Sequence, residues 1–271
     1  ELLRAWERRY GLLQPIRSTG GFRLYTVEDV ERVARMRRNL DAGLSAAEAA
    51  QAAIGETRPL DALRGDTVAR LLTAVRDYNG AGVHAVLDQS LAAFSLETVL
   101  RDLILPALTR VGAEWEQGTL SVSQEHFASN IIRGRLLALA RLWGRGTGPL
   151  ALLACAPGET HDISLVAFGL VLRTHGWRVL FFGANTPIAT VIQAVEATEP
   201  ALAVVTSFDP ALLEQETDSL GQLAERVPLA LAGPGASDEL CARLGVARLD
   251  GDLVAAANEV AAGPLSPPRP R

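Results

Sequence analysis

Leu150-Ala151-Leu152-Leu153-Ala154-Cys155-Ala156 is an unbroken apolar run that stops at Pro157-Gly158-Glu159-Thr160-His161. A run of this length closed by a Pro-Gly turn reads as a strand buried on both faces, because a half-exposed strand would alternate apolar and polar residues. It is too short to span a bilayer. The texture returns at Val179 to Phe182, Ala201 to Ser207, Leu229 to Ala232 and, more weakly, near Val246, with helical stretches between. Strands alternating with helices predict a parallel, doubly wound, Rossmann-like sheet over residues 149–263. Ligands of such sheets bind beyond the carboxyl ends of the strands, so His161 stands where a ligand is expected.

Upstream, residues 67–143 read as four amphipathic helices, broken near Asn79-Gly80, near Phe94-Ser95 and at Gly118-Thr119. A four-helix bundle over residues 66–145 is the natural packing, with Pro106 expected to bend the third helix. The stretch from Ile54 to Asp66 lapses into Gly, Pro and charge and reads as a linker. Ahead of it, residues 1–57 read as a small unit of helices and a wing. A helix over residues 2–10 ends at Gly11, and a hairpin is predicted around Gly20-Gly21 between Arg17 and Arg23. Thr26 and the Ser45/Glu48 capping box open two further helices. The sequence opens at Glu1, inside the first helix, so the natural amino terminus is expected to be missing. The tail 264–271, rich in Pro, is expected to be disordered.

The 271 residues, 48% hydrophobic, suffice for two or three compact units. Two cysteines, Cys155 and Cys241, lie far apart in apolar surroundings without disulfide or zinc spacing and are expected to be reduced core residues. With no apolar run long enough to span a membrane, a cytoplasmic protein is expected. Charge is unevenly spread: residues 1–40 hold nine Arg against five acids, +4, so with a net charge of −5 the remainder carries −9. A basic head on an acidic body suits a polyanion-binding module joined to something else.

His161 can present one imidazole nitrogen to a metal, while Glu159 or Asp162 holds the other in the required tautomer. By itself the pattern also fits a solvated or capping histidine. Trp115 falls in the last turn of the third bundle helix and Glu125 and His126 in the opening turns of the fourth, which brings all three to one end of the bundle. Taken alone, Trp115 reads rather as a core aromatic and Glu125 as an acid favourable to the helix dipole. Arg4, Arg8 and Arg9 have the helical spacing to reach phosphates and base edges in a major groove, and Arg23 sits on a wing suited to the neighbouring backbone.

Three resemblances set these residues in context. Glu159-Thr160-His161-Asp162-Ile163-Ser164 resembles the D/E-x-H-x-x-G motif of cobalamin-binding domains, in which the His is the lower cobalt ligand. Ser207, Gly233-Pro234-Gly235 and the loop from Gly183 to Pro187 resemble that family's later motifs, with Ser164 in place of the motif Gly and Ala232-Gly233 in place of a full Gly pair. The W-x9-E-H spacing of Trp115, Glu125 and His126 resembles that of the CarH/LitR cobalamin-dependent photoreceptors, whose bundle caps the adenosyl group. Leu3 to Gly11 and Gly20 to Tyr25 resemble the recognition helix and wing of MerR-type regulators, which implies DNA contacts by Arg4, Arg8, Arg9, Arg17, Arg23 and Tyr25. One departure is Glu116, which stands where some light-sensing relatives carry a His.

The resemblance implies a multidomain α and α/β protein without enzymatic turnover: a winged helix-turn-helix, a four-helix bundle and a cobalamin domain. Its cofactor would be adenosylcobalamin, with cobalt on His161 and with Glu159, Asp162, Ser207, Gly233, Gly235, Trp115, Glu125 and His126 around it. The implied function is a light-sensing repressor that forms a dimer or tetramer on double-stranded operator DNA in the dark and releases it on illumination. Two alternatives are a light-independent cobalamin-responsive regulator of the same build and a corrinoid carrier subunit of a methyltransferase. The basic winged unit argues against the carrier, which has no use for it.

Overall fold

A computed structural model describes residues 2–13, 15–17, 23–41, 45–55 and 63–263. The hairpin tip at Gly20-Gly21 and the tail 264–271 lie outside the described residues. In the amino-terminal unit, α1 (Leu2–Tyr10) buries Trp6 and leaves Arg4, Arg8 and Arg9 exposed. A short antiparallel pair, β1 (Ile16–Arg17) and β2 (Arg23–Leu24), forms the base of the wing. Two capping boxes start the next helices. Thr26 exchanges bonds with Asp29 at the head of α2 (Val27–Asp41), and Ser45 does so with Glu48 at the head of α3 (Ala46–Gly55). Trp6, Leu12, Leu13, Met36, Ala49, Ala50 and Ala53 close a small core of their own.

Four helical stretches then pack together. They are α4 (Val68–Arg76) behind a π-helical turn at Leu63–Thr67, α5 (Gly80–Ala93), a long third stretch, and α8 (Val122–Leu139). The third stretch consists of α6 (Leu96–Val99), a π-helical turn Leu100–Ile104 and α7 (Leu105–Glu116). Pro106 has no N–H to give the carbonyl four residues back, and the helix widens just before it, so the expected bend takes the form of a π turn. Gly118, at φ +72°, ends α7, and Ser121 with Gln124 opens α8 through a further capping box.

The sheet has the order β4-β3-β5-β6-β7, every neighbouring pair parallel: β3 (Leu150–Cys155), β4 (Arg178–Gly183), β5 (Leu202–Thr206), β6 (Leu229–Ala232) and β7 (Ala247–Leu249). Every residue of β5 is buried, as the unbroken apolar runs require. On one face lie α9 (Ile163–Thr174) and α14 (Leu253–Ala262); on the other lie α10 (Ile188–Thr198), α12 (Thr217–Ala224) and α13 (Asp238–Leu244), and α11 (Pro210–Gln215) follows β5. The chain leaves β3 and β5 toward opposite faces, so the crevice of this order opens between their carboxyl ends.

One apolar core runs from the bundle (Leu71, Leu100, Ile132) through Leu165, Phe168 and Leu172 of α9 to Leu153 and Val204 of the sheet. The bundle therefore rests on α9, the helix that follows the His161 loop. At its other flank, Thr98 of α6 donates to Glu31 of α2 at 2.6 Å, both residues buried, which ties the amino-terminal unit to the start of the long helical stretch. No described helix is long and apolar enough to cross a membrane.

Candidate functional site

His161 lies in the loop between β3 and α9, and its orientation is over-determined. Its backbone N–H and its Nδ1 both meet Glu159 Oε1 at 2.7 Å. The second oxygen, Oε2, accepts from the Phe208 N–H at 2.6 Å and from Ser207 Oγ at 3.1 Å. A buried carboxylate, 3% exposed, thus links the loop after β3 to the loop after β5. Burial pushes the Glu159 carboxyl up, but the hydrogen bonds from Phe208 and His161 outweigh it and hold the group below the ordinary carboxylate range. An ionised acceptor at Nδ1 selects the Nδ1–H tautomer. The His161 side chain is 70% exposed, and Nε2 has no hydrogen-bond partner among the described residues. The lone pair of Nε2 therefore points away from the protein's own bonding network.

The loop itself is braced from beneath. Gly158, at φ +83°, donates its N–H to Asn185 Oδ1 at 2.7 Å, and the Asn185 N–H donates back to the Glu159 carbonyl at 2.7 Å. Cys155 is fully buried below, its thiol pushed up to about 12 by burial and by the carboxylates of Asp162 and Glu159. Of the two acids able to hold the imidazole, Glu159 does so. Asp162 is taken by another partner: its carboxylate, 2% exposed, receives Nε and Nη2 of Arg133 from α8, each at 2.7 Å.

Beside the histidine a cavity of about 170 Å³ is lined by Ser164, Phe168, Thr206, Phe208, Gly233 and Gly251, among others. Gly233 is at φ +84°, and a Cβ there would lie 2.5 Å from the Ser207 carbonyl oxygen. A Cβ on Gly235 would lie 2.8 Å from the Asp209 carbonyl oxygen. The two glycines let the loop after β6 lie against the loop after β5, and Ser164 sits in the cavity wall without closing it.

Phe208 escaped the sequence reading. It is 47% exposed, its ring centroid lies 5.2 Å from that of His161, and it also lines the cavity. The available signal was its place directly after Ser207 at a strand's carboxyl end, where an aromatic has no core to fill.

An outward imidazole can complete the coordination of a metal that arrives with its other ligands, whereas it cannot hold a bare ion. Together with a largely apolar cavity that Ser164, Gly233 and Gly251 keep open at the switch point, this donor set fits a corrin-bound cobalt.

At the far end of the bundle, Trp115 is 46% exposed in the last turn of α7. Glu125 and His126 pair with each other, Oε2 to Nδ1 at 2.6 Å, and Glu125 Oε1 accepts from Ser129 at 2.6 Å. Among the described residues, no hydrogen bond or ring contact joins Trp115 to either of them or any of the three to His161. Glu125, Ser129 and Arg133 recur every four residues and so share one face of α8. Since Arg133 reaches Asp162, its side of α8 is turned toward the His161 loop; His126, seven residues before it, stands about 20° away around the helix, and Glu125 about 80°. The other histidines lie elsewhere: His84 is exposed, and His175 meets Asn258 at 2.6 Å.

In the amino-terminal unit, Arg4, Arg8 and Arg9 are exposed, Arg9 lying 5.7 Å over the Tyr10 ring. Arg23 Nε donates to Glu7 Oε2 at 2.8 Å, and this bond raises the Arg23 pKa and fastens the wing strand to α1. Arg17 stands opposite Arg23 in the β1–β2 pair, and Tyr25 is 37% exposed.

Comparisons with known proteins agree on the build. Residues 67–140 match the B12 binding domain family and residues 1–53 the MerR HTH family of regulatory proteins. Over 93% of this chain and 91% of the relative, the sequence is 32% identical to the HTH-type transcriptional repressor CarH of Myxococcus xanthus. It is 36% identical to the repressor CarA of the same organism over 88% of this chain and 83% of the relative. Among solved structures, the monomethylamine corrinoid protein of Methanosarcina barkeri superposes with a TM-score of 0.62 at 17% identity, covering 75% of this chain and 99% of the other, which is a likeness of fold.

Proposed function

The chain belongs to the family of the HTH-type transcriptional repressors CarH and CarA, and from that premise we propose that it is a cobalamin-binding repressor whose hold on operator DNA is set by light. The observation that carries the proposal is the His161–Glu159 pair, which turns a tautomer-fixed Nε2 outward at the switch point of the sheet. In this reading His161 is the lower ligand of cobalt. Glu159 and Ser207 would hold His161 in place, Phe208 would offer the cofactor an apolar surface beside His161, and Ser164, Gly233 and Gly235 would leave room for it in the cavity. When bound, adenosylcobalamin supplies a cobalt–carbon bond that light breaks.

The work of the protein is done by its own residues. Trp115 offers a broad rigid face, and Glu125 and His126 offer hydrogen-bonding groups, to cover an adenosyl group from the bundle side. A bundle seated on that group holds one arrangement, and its loss shifts the population to another. Residues 66–145 are then the cap, 149–263 the cofactor domain and 1–57 the DNA-binding unit, in a cytoplasmic homo-oligomer. Linked DNA units bind more tightly than single ones, so disassembly lowers operator occupancy.

The test is an absorption spectrum and a particle size for the protein loaded with adenosylcobalamin, before and after green light. A larger assembly in darkness than in light is expected. Equal sizes would end the photoreceptor reading and leave the light-independent cobalamin-responsive regulator.

A further inference from the structure

The bundle and the sheet share an apolar core, but their polar ties are unequal. Thr174 meets Glu97 at 3.2 Å, and Arg101 lies 3.9 Å from Asp252, contacts in which the charged side chains are about a third exposed or more. In the pair between Arg133 and Asp162 the arginine side chain is 43% exposed, but the carboxylate is 2% exposed and is met by two prongs. Both guanidinium nitrogens that reach Asp162 do so at 2.7 Å, one to each oxygen, in the planar two-pronged geometry that only arginine provides. Asp162 is buried, and among the described residues Arg133 supplies the only hydrogen bonds to its carboxylate.

Position gives the pair its meaning. Asp162 follows His161 directly and stands at the N-cap of α9, so its placement sets that of the loop. Arg133 lies on α8 about two turns beyond Glu125 and His126. Any movement of α8 away from the loop, or along its own axis by a turn, breaks both bonds and strands a buried carboxylate without its cation. The loop cannot rearrange without the same penalty on its side.

We propose that Arg133 is a latch: it makes the seating of the bundle and the conformation of the His161 loop depend on each other, so that a change at the upper face of the cofactor is felt at its lower ligand. This rests on the reading of His161 as a cobalt ligand, but the latch is testable in the protein without cofactor.

Amide hydrogen exchange is measured on the cofactor-free protein over residues 157–162 and along α8. Arg133→Gln and Asp162→Asn should each speed exchange in both segments by about tenfold, with the double variant no faster than either single one. Arg133→Lys, which keeps the charge but not the fork, should fall between, and the reversed pair Arg133→Asp with Asp162→Arg should restore slow exchange. Hydroxocobalamin should still give Arg133→Gln the wild-type absorption spectrum, which a merely misfolded variant would not show. Wild-type exchange in Arg133→Gln, exchange altered in one segment only, or single effects that multiply in the double variant would overturn the latch. A wild-type assembly indifferent to light would sink the photoreceptor reading while leaving the exchange result standing.

Discussion

At the scale of single residues, the site depends on one hydrogen-bond acceptor and two glycines. Glu159 accepts from four groups, two on His161 and one each on Ser207 and Phe208. His161→Ala should leave the fold intact, because the side chain is 70% exposed, while lowering cobalamin affinity and shifting the absorption spectrum. An unchanged spectrum and affinity would remove His161 as the ligand. Gly233→Ala has the opposite character. It puts a Cβ 2.5 Å from a carbonyl oxygen at φ +84°, a backbone region that costs an L-residue roughly 1–2 kcal/mol before any clash. Adding overpacking of about 1–3 kcal/mol, urea denaturation should register a loss of about 2–5 kcal/mol, with weaker cobalamin uptake because the cavity wall moves. A stability within about 0.5 kcal/mol of wild type, the usual range for surface substitutions, would show that the close approach of the two loops is not rigid.

At the scale of elements, α1 and the third bundle stretch make separate arguments. In α1, Trp6 is buried while Arg4, Arg8 and Arg9 are exposed, and Arg23 of the wing is spent on Glu7. Arg4, Arg8 and Arg9, exposed on α1, are therefore the cations proposed to meet phosphates. Counterion release gives a log–log salt slope of about −0.9 per phosphate neutralised. Arg8→Ala with Arg9→Ala should flatten the slope by about 2 units if each arginine holds one phosphate, and leave cobalamin uptake unchanged. An operator titration against salt that gives equal slopes for wild type and variant would clear α1 of phosphate contact. In the third stretch, Pro106 and the π turn before it separate Thr98, bonded to the amino-terminal unit, from Trp115 at the far end.

At the scale of the whole molecule, three units meet along that stretch. Its start touches Glu31 of the amino-terminal unit and, through Glu97, the end of α9; its finish carries Trp115. In the proposed reading, the bundle's seating depends on what Trp115 covers and sets the surface offered to a second copy. Trp115→Ala should bind cobalamin but lose most of the difference in particle size between darkness and light, read by sedimentation or light scattering. A variant with the full wild-type difference would take Trp115 out of the cap. With Trp115 46% exposed, the substitution should change stability little, so a lost response would not reflect unfolding.

The sequence by itself determined the fold class, because apolar runs of strand length between helical stretches have few solutions other than a parallel doubly wound sheet, and Ser45/Glu48 and Gly118 marked their helix ends through local chemistry alone. It also placed His161 at a strand's carboxyl end, since that position follows from chain order. What it left open was decided by contacts between residues far apart in the chain. Which acid orients His161 depends on the distance from β3 to β5, which puts Ser207 and Phe208 over Glu159 and leaves Asp162 to Arg133. Phe208 joined the site for the same reason, and the face of α8 turned toward the loop became known only when Arg133 was seen to meet Asp162. Local sequence carries propensity and period, which act over a few residues. The partner of a buried charge is set by how whole elements pack, and only the tertiary structure holds that information.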